Sequence, residues 1–231
     1  MTQHPAAVVT RAAIRTPRAA AVAGIVFAVL LTTTLLLLRW ALPNDTETAG
    51  DWLDDGGRRD AVVLALNLLP FAGLAFLWFI GVIRDRIGAG EDRFFATVFL
   101  GSGLLFLALT FVGAALAGGL LASYTAEGNI VGSGVLAYGR AVMFQVINVY
   151  AIRMAGVFMI SLSTIWLRTG LMHRGWAFVT YALALTLLVS ITISLWVTLI
   201  FPGWVLAVSV YFLIQTSRHE PKGATVVVDS A

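Results

Sequence analysis

Four predominantly apolar runs, each long enough to cross a lipid bilayer, limit what this chain can fold into more than any other feature. A helix rises about 1.5 Å per residue, so roughly 20 apolar residues are needed to cross the hydrocarbon core. A further apolar stretch is about twice that length and predicts a helical hairpin. The four runs cover residues 19–38, 61–83, 94–122 and 139–167, and the longer stretch covers 176–216.

Composition agrees with a bilayer as the surrounding solvent. Hydrophobic residues make up 59% of the 231 residues and charged residues only 12%, which is too little polar surface to coat a soluble domain. We therefore predict an all-α fold, a polytopic transmembrane bundle of six helices. The transmembrane domain is predicted to cover residues 19–217, between a cytoplasmic N-terminal segment, 1–18, and a cytoplasmic tail, 218–231.

Two features of this predicted topology have alternatives: the turn within residues 176–216 and the nature of the first apolar run. Within the long stretch, Pro202-Gly203 is the only strong helix breaker, but it would leave a last helix of about 15 residues, short for a crossing. A turn near Ser194 divides the stretch more evenly. The first run is interpreted as a retained helix and not a signal peptide, because Arg39 stands where a cleavage site requires a small residue.

The basic residues predict the orientation. Cytoplasmic segments of membrane proteins are rich in Lys and Arg. With the N-terminus inside, ten basic residues fall in the cytoplasmic segments, against Arg58 and Arg59 in an outer loop and Arg39 and Arg140 at helix ends. We therefore predict that both termini are cytoplasmic, N-in and C-in. The ten residues are Arg11, Arg15, Arg18, Arg84, Arg86, Arg93, Arg168, Arg174, Arg218 and Lys222.

The chain lacks the residues that most intramembrane chemistry requires. It has no cysteine, and His4, His173 and His219 all lie outside the apolar runs. No Asp or Glu lies within a run, which removes the carboxylates needed for aspartyl proteolysis or a proton relay. We predict no catalytic site, no cofactor and no metal. The predicted partners are the lipid bilayer and a membrane protein or a second copy of the chain, with no nucleic acid.

The acidic outer loop is the one place where a metal site is an alternative. Asp51, Asp54, Asp55 and Asp60 carry oxygen ligands of the kind that divalent cations prefer. Their spacing matches no recognised calcium loop. A solvated run of charges is therefore the preferred interpretation.

The fourth run is the most polar, and it supplies four of the candidate site residues, Arg140, Gln145, Asn148 and Arg153. At about 100° per residue, Gln145 and Asn148 fall within roughly 80° of one another on a helix, with Arg153 at the edge of that sector. Gly156 and Ser163 share the same sector. This face is predicted to look into protein or a cavity. Asn67, close to Pro70 in the second run, is the fifth candidate.

Arg153 requires an explanation because an arginine in the bilayer centre costs about 2.5 to 3.5 kcal/mol even on the lenient insertion scale. Two alternatives stay open. The side chain is structural, with its charge bonded to carbonyls or reaching the interface, or it belongs to a ligand or partner site.

The third run contains three overlapping pairs of small residues four positions apart, a spacing that allows close helix approach in lipid. We interpret the pairs as packing within the bundle, with a contact between two copies of the chain as the alternative. The pairs are Gly113 and Ala117, Ala114 and Gly118, and Ala115 and Gly119.

Two segments carry a resemblance to known proteins. NLLPFAGLAFLWFIGVIRDR, residues 67–86, and EDRFFATVFLGSG, residues 91–103, resemble segments of actinobacterial multi-pass membrane proteins of unknown function. The resemblance covers about 35 residues. It implies a bacterial plasma membrane location and brings no catalytic or binding residues.

Three functions are compatible with these features. The first is an accessory or assembly subunit of a membrane complex, in which Arg153 meets a partner or a lipid. The second is a small transporter or channel, in which a polar path around Arg153 carries an anionic solute. A lipid-modifying enzyme at the membrane surface comes third, because no catalytic motif supports it.

Overall fold

The computed structural model describes residues 16–42, 51–87, 93–127, 134–170, 173–189 and 195–218. Within those ranges the chain is helical apart from short connections, and no strand occurs. The helices are α1 (Thr16–Ala41), α2 (Asp51–Asp54), α3 (Gly56–Ile87), α4 (Arg93–Glu127), α5 (Gly134–Phe144), a π-helical segment (Gln145–Ala151), α6 (Ile152–Thr169), α7 (Arg174–Val189), α8 (Leu195–Thr198) and α9 (Ile200–Arg218).

The predicted helical bundle is confirmed, and the described residues contain five helical stretches long and apolar enough to cross a membrane. Each of the four predicted runs lies within one of them, and the fifth covers Trp196–Ile214. The remaining apolar helix, α7, has 16 residues and is shorter than these spans. Most of the N-terminal segment, residues 1–15, and most of the C-terminal tail, 219–231, lie outside the described residues.

The helix does not break at Pro202-Gly203, the first of the two predicted boundaries. Pro202 lies in the first turn of α9, where a missing backbone N–H costs no intrahelical hydrogen bond. Gly203 N–H donates to the carbonyl of Leu199 at 3.0 Å. Helix α7 ends at Val189, before the alternative turn, and Ser194 itself lies outside the described residues.

The fourth predicted helix is not a regular α-helix throughout. Helix α5, the π-helical segment and α6 form one stretch from Gly134 to Thr169, and the residues flanking the π-helical segment keep right-handed α dihedral angles. A π turn holds more residues than an α turn. The segment therefore changes the direction in which the residues after it point.

An aromatic cluster joins the helices at the centre of the bundle. Helix α1 packs along α3 and α9, and α6 packs along α4 and α7. Phe27 of α1 stacks on Phe76 of α3 at 4.5 Å between ring centroids, and Phe158 of α6 lies 5.3 Å from Phe76 and 5.9 Å from Phe201 of α9. Such ring pairs contribute about 0.5 to 1.5 kcal/mol each beyond their buried area.

Tryptophans near the span ends do not all form an interfacial belt. Trp40 and Trp196 are exposed, as a ring at the headgroup level would be. Trp166 and Trp204 are buried, and their ring centroids lie 6.0 Å apart. Trp204 also donates its indole N–H to the Thr180 hydroxyl at 3.0 Å. These two rings join α6, α7 and α9 inside the protein.

Candidate functional site: an apolar cavity with two arginines

A cavity of about 740 Å³ lies between α1, α3, α4 and the stretch formed by α5 and the π-helical segment. It occupies the half of the bundle nearest α2, which we call the α2 end. Leu31 of α1 and Leu69 of α3 line it one to two turns from Phe27 and Phe76 of the aromatic cluster. Most of the remaining wall is leucine, alanine and valine. Its size falls within the range of about 300 to 1,000 Å³ typical of small-molecule sites.

A few polar side chains interrupt this apolar wall. Arg39 and Arg140 enter it from α1 and α5, and both are partly buried. Asn148 lies about two helical turns deeper than Arg140. Thr34 and Thr110 also line the cavity, but each donates its hydroxyl to a carbonyl of its own helix, at 2.9 Å and 2.7 Å. Among the described residues that line the cavity, the arginines are therefore the charged ones.

Helix α2 contributes to the wall at the α2 end. Its residues Trp52 and Leu53 are buried, and Trp52 also lines the cavity. The Tyr124 hydroxyl donates to the Asp54 carboxylate at 2.6 Å, and the Arg59 guanidinium donates to the carbonyl of Leu53. These bonds hold α2 against α4 and the start of α3.

Two acidic residues at α2, Asp54 and Asp55, have local partners. Besides the Asp54 contact with Tyr124, Asp55 accepts from the Gly57 backbone N–H at 2.9 Å and forms an ion pair with Arg58 at 3.4 Å. Asp55 thus satisfies a donor at the start of α3. In the part of the chain that the structure describes, no group of three or more His, Cys, Asp or Glu residues is placed to hold a metal.

Arg153 lies away from the cavity wall. Its Nε donates to the carbonyl of Leu188 near the end of α7, and its Nη1 donates to the carbonyl of Val149, each at 3.4 Å. The carbonyls at the C-terminal end of a helix have no intrahelical donor. This geometry favours the structural alternative for Arg153, in which it joins α6 to the end of α7.

The polar face predicted for the fourth apolar run does not form a single surface in the structure. Asn148 lines the cavity, whereas Gln145 is exposed and lies outside its lining. Ser163 is buried and donates to the carbonyl of Ala177 on α7 at 3.3 Å. The π-helical segment is the physical reason, because the assumed 100° per residue does not apply between residues 145 and 151.

Asn67, the candidate on α3, also lies outside the cavity lining. Its side chain is exposed, and its amide donates to the carbonyl of Val63 at 2.8 Å. Of the five candidate residues, the structure therefore places Arg140 and Asn148 in the cavity.

Arg39 is a cavity residue that the sequence did not identify as a candidate. Its guanidinium carbon lies 5.0 Å from the ring centroid of Trp196, a cation–π contact. The available signal was an arginine in the last turn of the first helix, which is equally typical of an interface anchor.

Comparison with known proteins adds no relative. No protein-family model, no curated protein and no solved structure matches this chain.

Proposed function

We propose that this chain is a bacterial plasma-membrane protein that binds a lipid-like molecule of the bilayer in the cavity and carries out no chemistry on it. The observation that supports the proposal is the cavity itself, about 740 Å³ with a mainly apolar wall. Protein interiors contain few voids larger than a water molecule. An apolar occupant supplies the dispersion contacts that the lining side chains otherwise lack.

The proposal includes six crossings with both termini in the cytoplasm. Helix α7 supplies the sixth, although its 16 residues extend only about 24 Å against a hydrocarbon core of about 30 Å. Local thinning of the bilayer accommodates a short helix at modest cost. The distribution of basic residues supports an even number of crossings, because Arg218 ends the last helix and Lys222 follows it.

An accessory subunit, the first function predicted from the sequence, is a second candidate. Gly101 and Gly119 of α4 support it, because nothing lies within 4 Å of a Cβ placed on either residue. Another helix can approach α4 closely there. Lipid binding and an accessory role are compatible. Co-purification from native membranes tests the accessory role, and recovery of the chain alone would count against it.

A transporter or channel with a polar path around Arg153 is less well supported. The side chain of Arg153 contacts two backbone carbonyls and does not line the cavity. No contact of the described residues favours a path at this position.

Filling the cavity tests the binding proposal. Ala117 on α4 is buried and lines the cavity, so Ala117→Trp places a large ring inside it. We expect the wild-type chain to retain a bound lipid after mild solubilisation, measured by native mass spectrometry, and the variant to lose most of it.

Ala115→Trp is the matched control. Ala115 lies two residues away on the exposed face of α4, outside the cavity lining, so the same ring is added where lipid already surrounds the helix. We expect this variant to keep the wild-type amount of bound lipid. Equal retention by the wild type and both variants would refute binding in the cavity.

A further inference from the structure

The charges of the cavity are concentrated toward one end. Arg39 is the third residue from the end of α1, and Arg140 is the seventh residue of α5, at the α2 end of the bundle. From Arg39 the wall continues along α1 to Leu31 over about 12 Å and is mainly apolar. The cavity therefore has a cationic end and an apolar interior, the shape and chemistry that match an amphiphile with an anionic head.

The apolar interior alone cannot select an occupant from a bilayer. A lipid chain that leaves the bilayer for the cavity exchanges one hydrocarbon environment for another, so it gains little hydrophobic free energy. Selectivity must come from the polar head, where the guanidinium groups are. An arginine binds a phosphate through two parallel N–H donors in a geometry that few other side chains provide.

None of the described residues that line the cavity is Asp or Glu. The nearby carboxylates of Asp54 and Asp55 are engaged by Tyr124 and Arg58. Arg39 contacts the ring of Trp196, and a cation on a ring face can still bind an anion at its edge.

We infer that the occupant of the cavity is an anionic phospholipid, with its phosphate at Arg39 and Arg140 and an acyl chain between α1, α3 and α4. The inference rests on the proposed function, since it names the class of molecule bound in the same cavity. With the predicted orientation, the α2 end faces the outer side, so the lipid comes from the outer leaflet.

Two lipids with identical acyl chains and different headgroups test the charge of the occupant. The full-length protein is delipidated in detergent and incubated with phosphatidylglycerol, which is anionic, or with phosphatidylcholine, which is zwitterionic. Native mass spectrometry measures the bound fraction of each. We expect phosphatidylglycerol to bind roughly tenfold more tightly, the order expected for two arginines near a lipid headgroup.

Variants assign this preference to the two arginines. In Arg39→Gln/Arg140→Gln, we expect the preference to fall to near unity. The charge-preserving Arg39→Lys/Arg140→Lys should keep most of it, which also covers the case in which the neutral variant does not fold. Arg58→Gln is the control, because Arg58 lies at the same end, pairs with Asp55 and does not line the cavity. It should bind like the wild type.

The outcomes separate this inference from the proposed function. Equal binding of both lipids by the wild type, with loss of both in Ala117→Trp, overturns the anionic head and leaves cavity binding intact. A preference that persists unchanged in the neutral double variant also overturns it. If neither lipid binds, or Ala117→Trp binds as the wild type does, the proposed function fails as well.

Discussion

Gly24 determines how closely α1 and α9 approach each other. A Cβ at this position would lie 2.0 Å from the Ser209 hydroxyl and 2.8 Å from the ring of Phe79. Ser209 is buried, and its hydroxyl has no hydrogen-bond partner among the described residues. The close contact between these helices therefore depends on the missing side chain.

Gly24→Ala should destabilise the bundle. The added methyl must displace Ser209 and Phe79, and overpacking of this kind costs about 1 to 3 kcal/mol. We expect the thermal midpoint of the detergent-solubilised protein, measured by the loss of the monodisperse peak in size-exclusion chromatography, to fall by several degrees.

Gly119→Ala is the matched control for this experiment. It places the same methyl on the open face of α4, where nothing lies within 4 Å. Its effect should stay within about 1 kcal/mol of the free energy of unfolding. An equal loss of stability in both variants would contradict the account of helix packing.

The arginines illustrate what a sequence can and cannot predict about single residues. Arg39, Arg140 and Arg153 all follow or interrupt apolar segments, and hydropathy does not separate them. The structure assigns the first two to the cavity wall and Arg153 to helix-end carbonyls. Those assignments depend on the direction in which each side chain points. Between α5 and α6 this direction changes because of the π-helical segment.

At the level of elements, α2 is a short helix that forms part of the cavity wall. Four residues cannot form a stable helix in isolation. It is held by the burial of Trp52 and Leu53 and by the bond from Tyr124 to Asp54. The sequence predicted only an acidic outer loop here, because a single helical turn carries no hydrophobic period.

Tyr124→Phe removes the hydroxyl that bonds Asp54 and keeps the ring. Because the contact is exposed to solvent, its loss should leave the global free energy of unfolding almost unchanged. The local effect should be larger. We expect faster amide hydrogen exchange in residues 51–54, measured by mass spectrometry.

Tyr138→Phe provides the comparison for α2. Tyr138 lies on α5 with 74% of its surface exposed and is outside the cavity lining, so its hydroxyl does not hold α2. Exchange in residues 51–54 should match the wild type. Unchanged exchange in Tyr124→Phe would mean that α2 is held by its buried side chains alone.

For the whole molecule, hydropathy predicted most of the architecture. Four long helices follow directly from the apolar runs, because a span of about 20 residues has few other stable structures in lipid. The cavity did not follow, because its walls come from helices far apart in sequence. Nor did the hairpin boundary, since Pro202 is compatible with the first turn of α9.

The central claim about the whole molecule is the sixth crossing that we propose for α7. The absence of cysteine from the chain allows single-cysteine labelling without a background. Asp60→Cys reports the first turns of α3, His173→Cys the connection before α7, and Ser194→Cys the segment after α7.

The most direct test is labelling of these three variants in intact bacterial cells with a membrane-impermeant maleimide. We expect Asp60→Cys and Ser194→Cys to react from outside, and His173→Cys to react only after the membrane is permeabilised. Reaction of positions 173 and 194 from the same side would show that α7 does not cross the membrane. Protection of position 60 in intact cells would show that the orientation is the reverse of the one proposed.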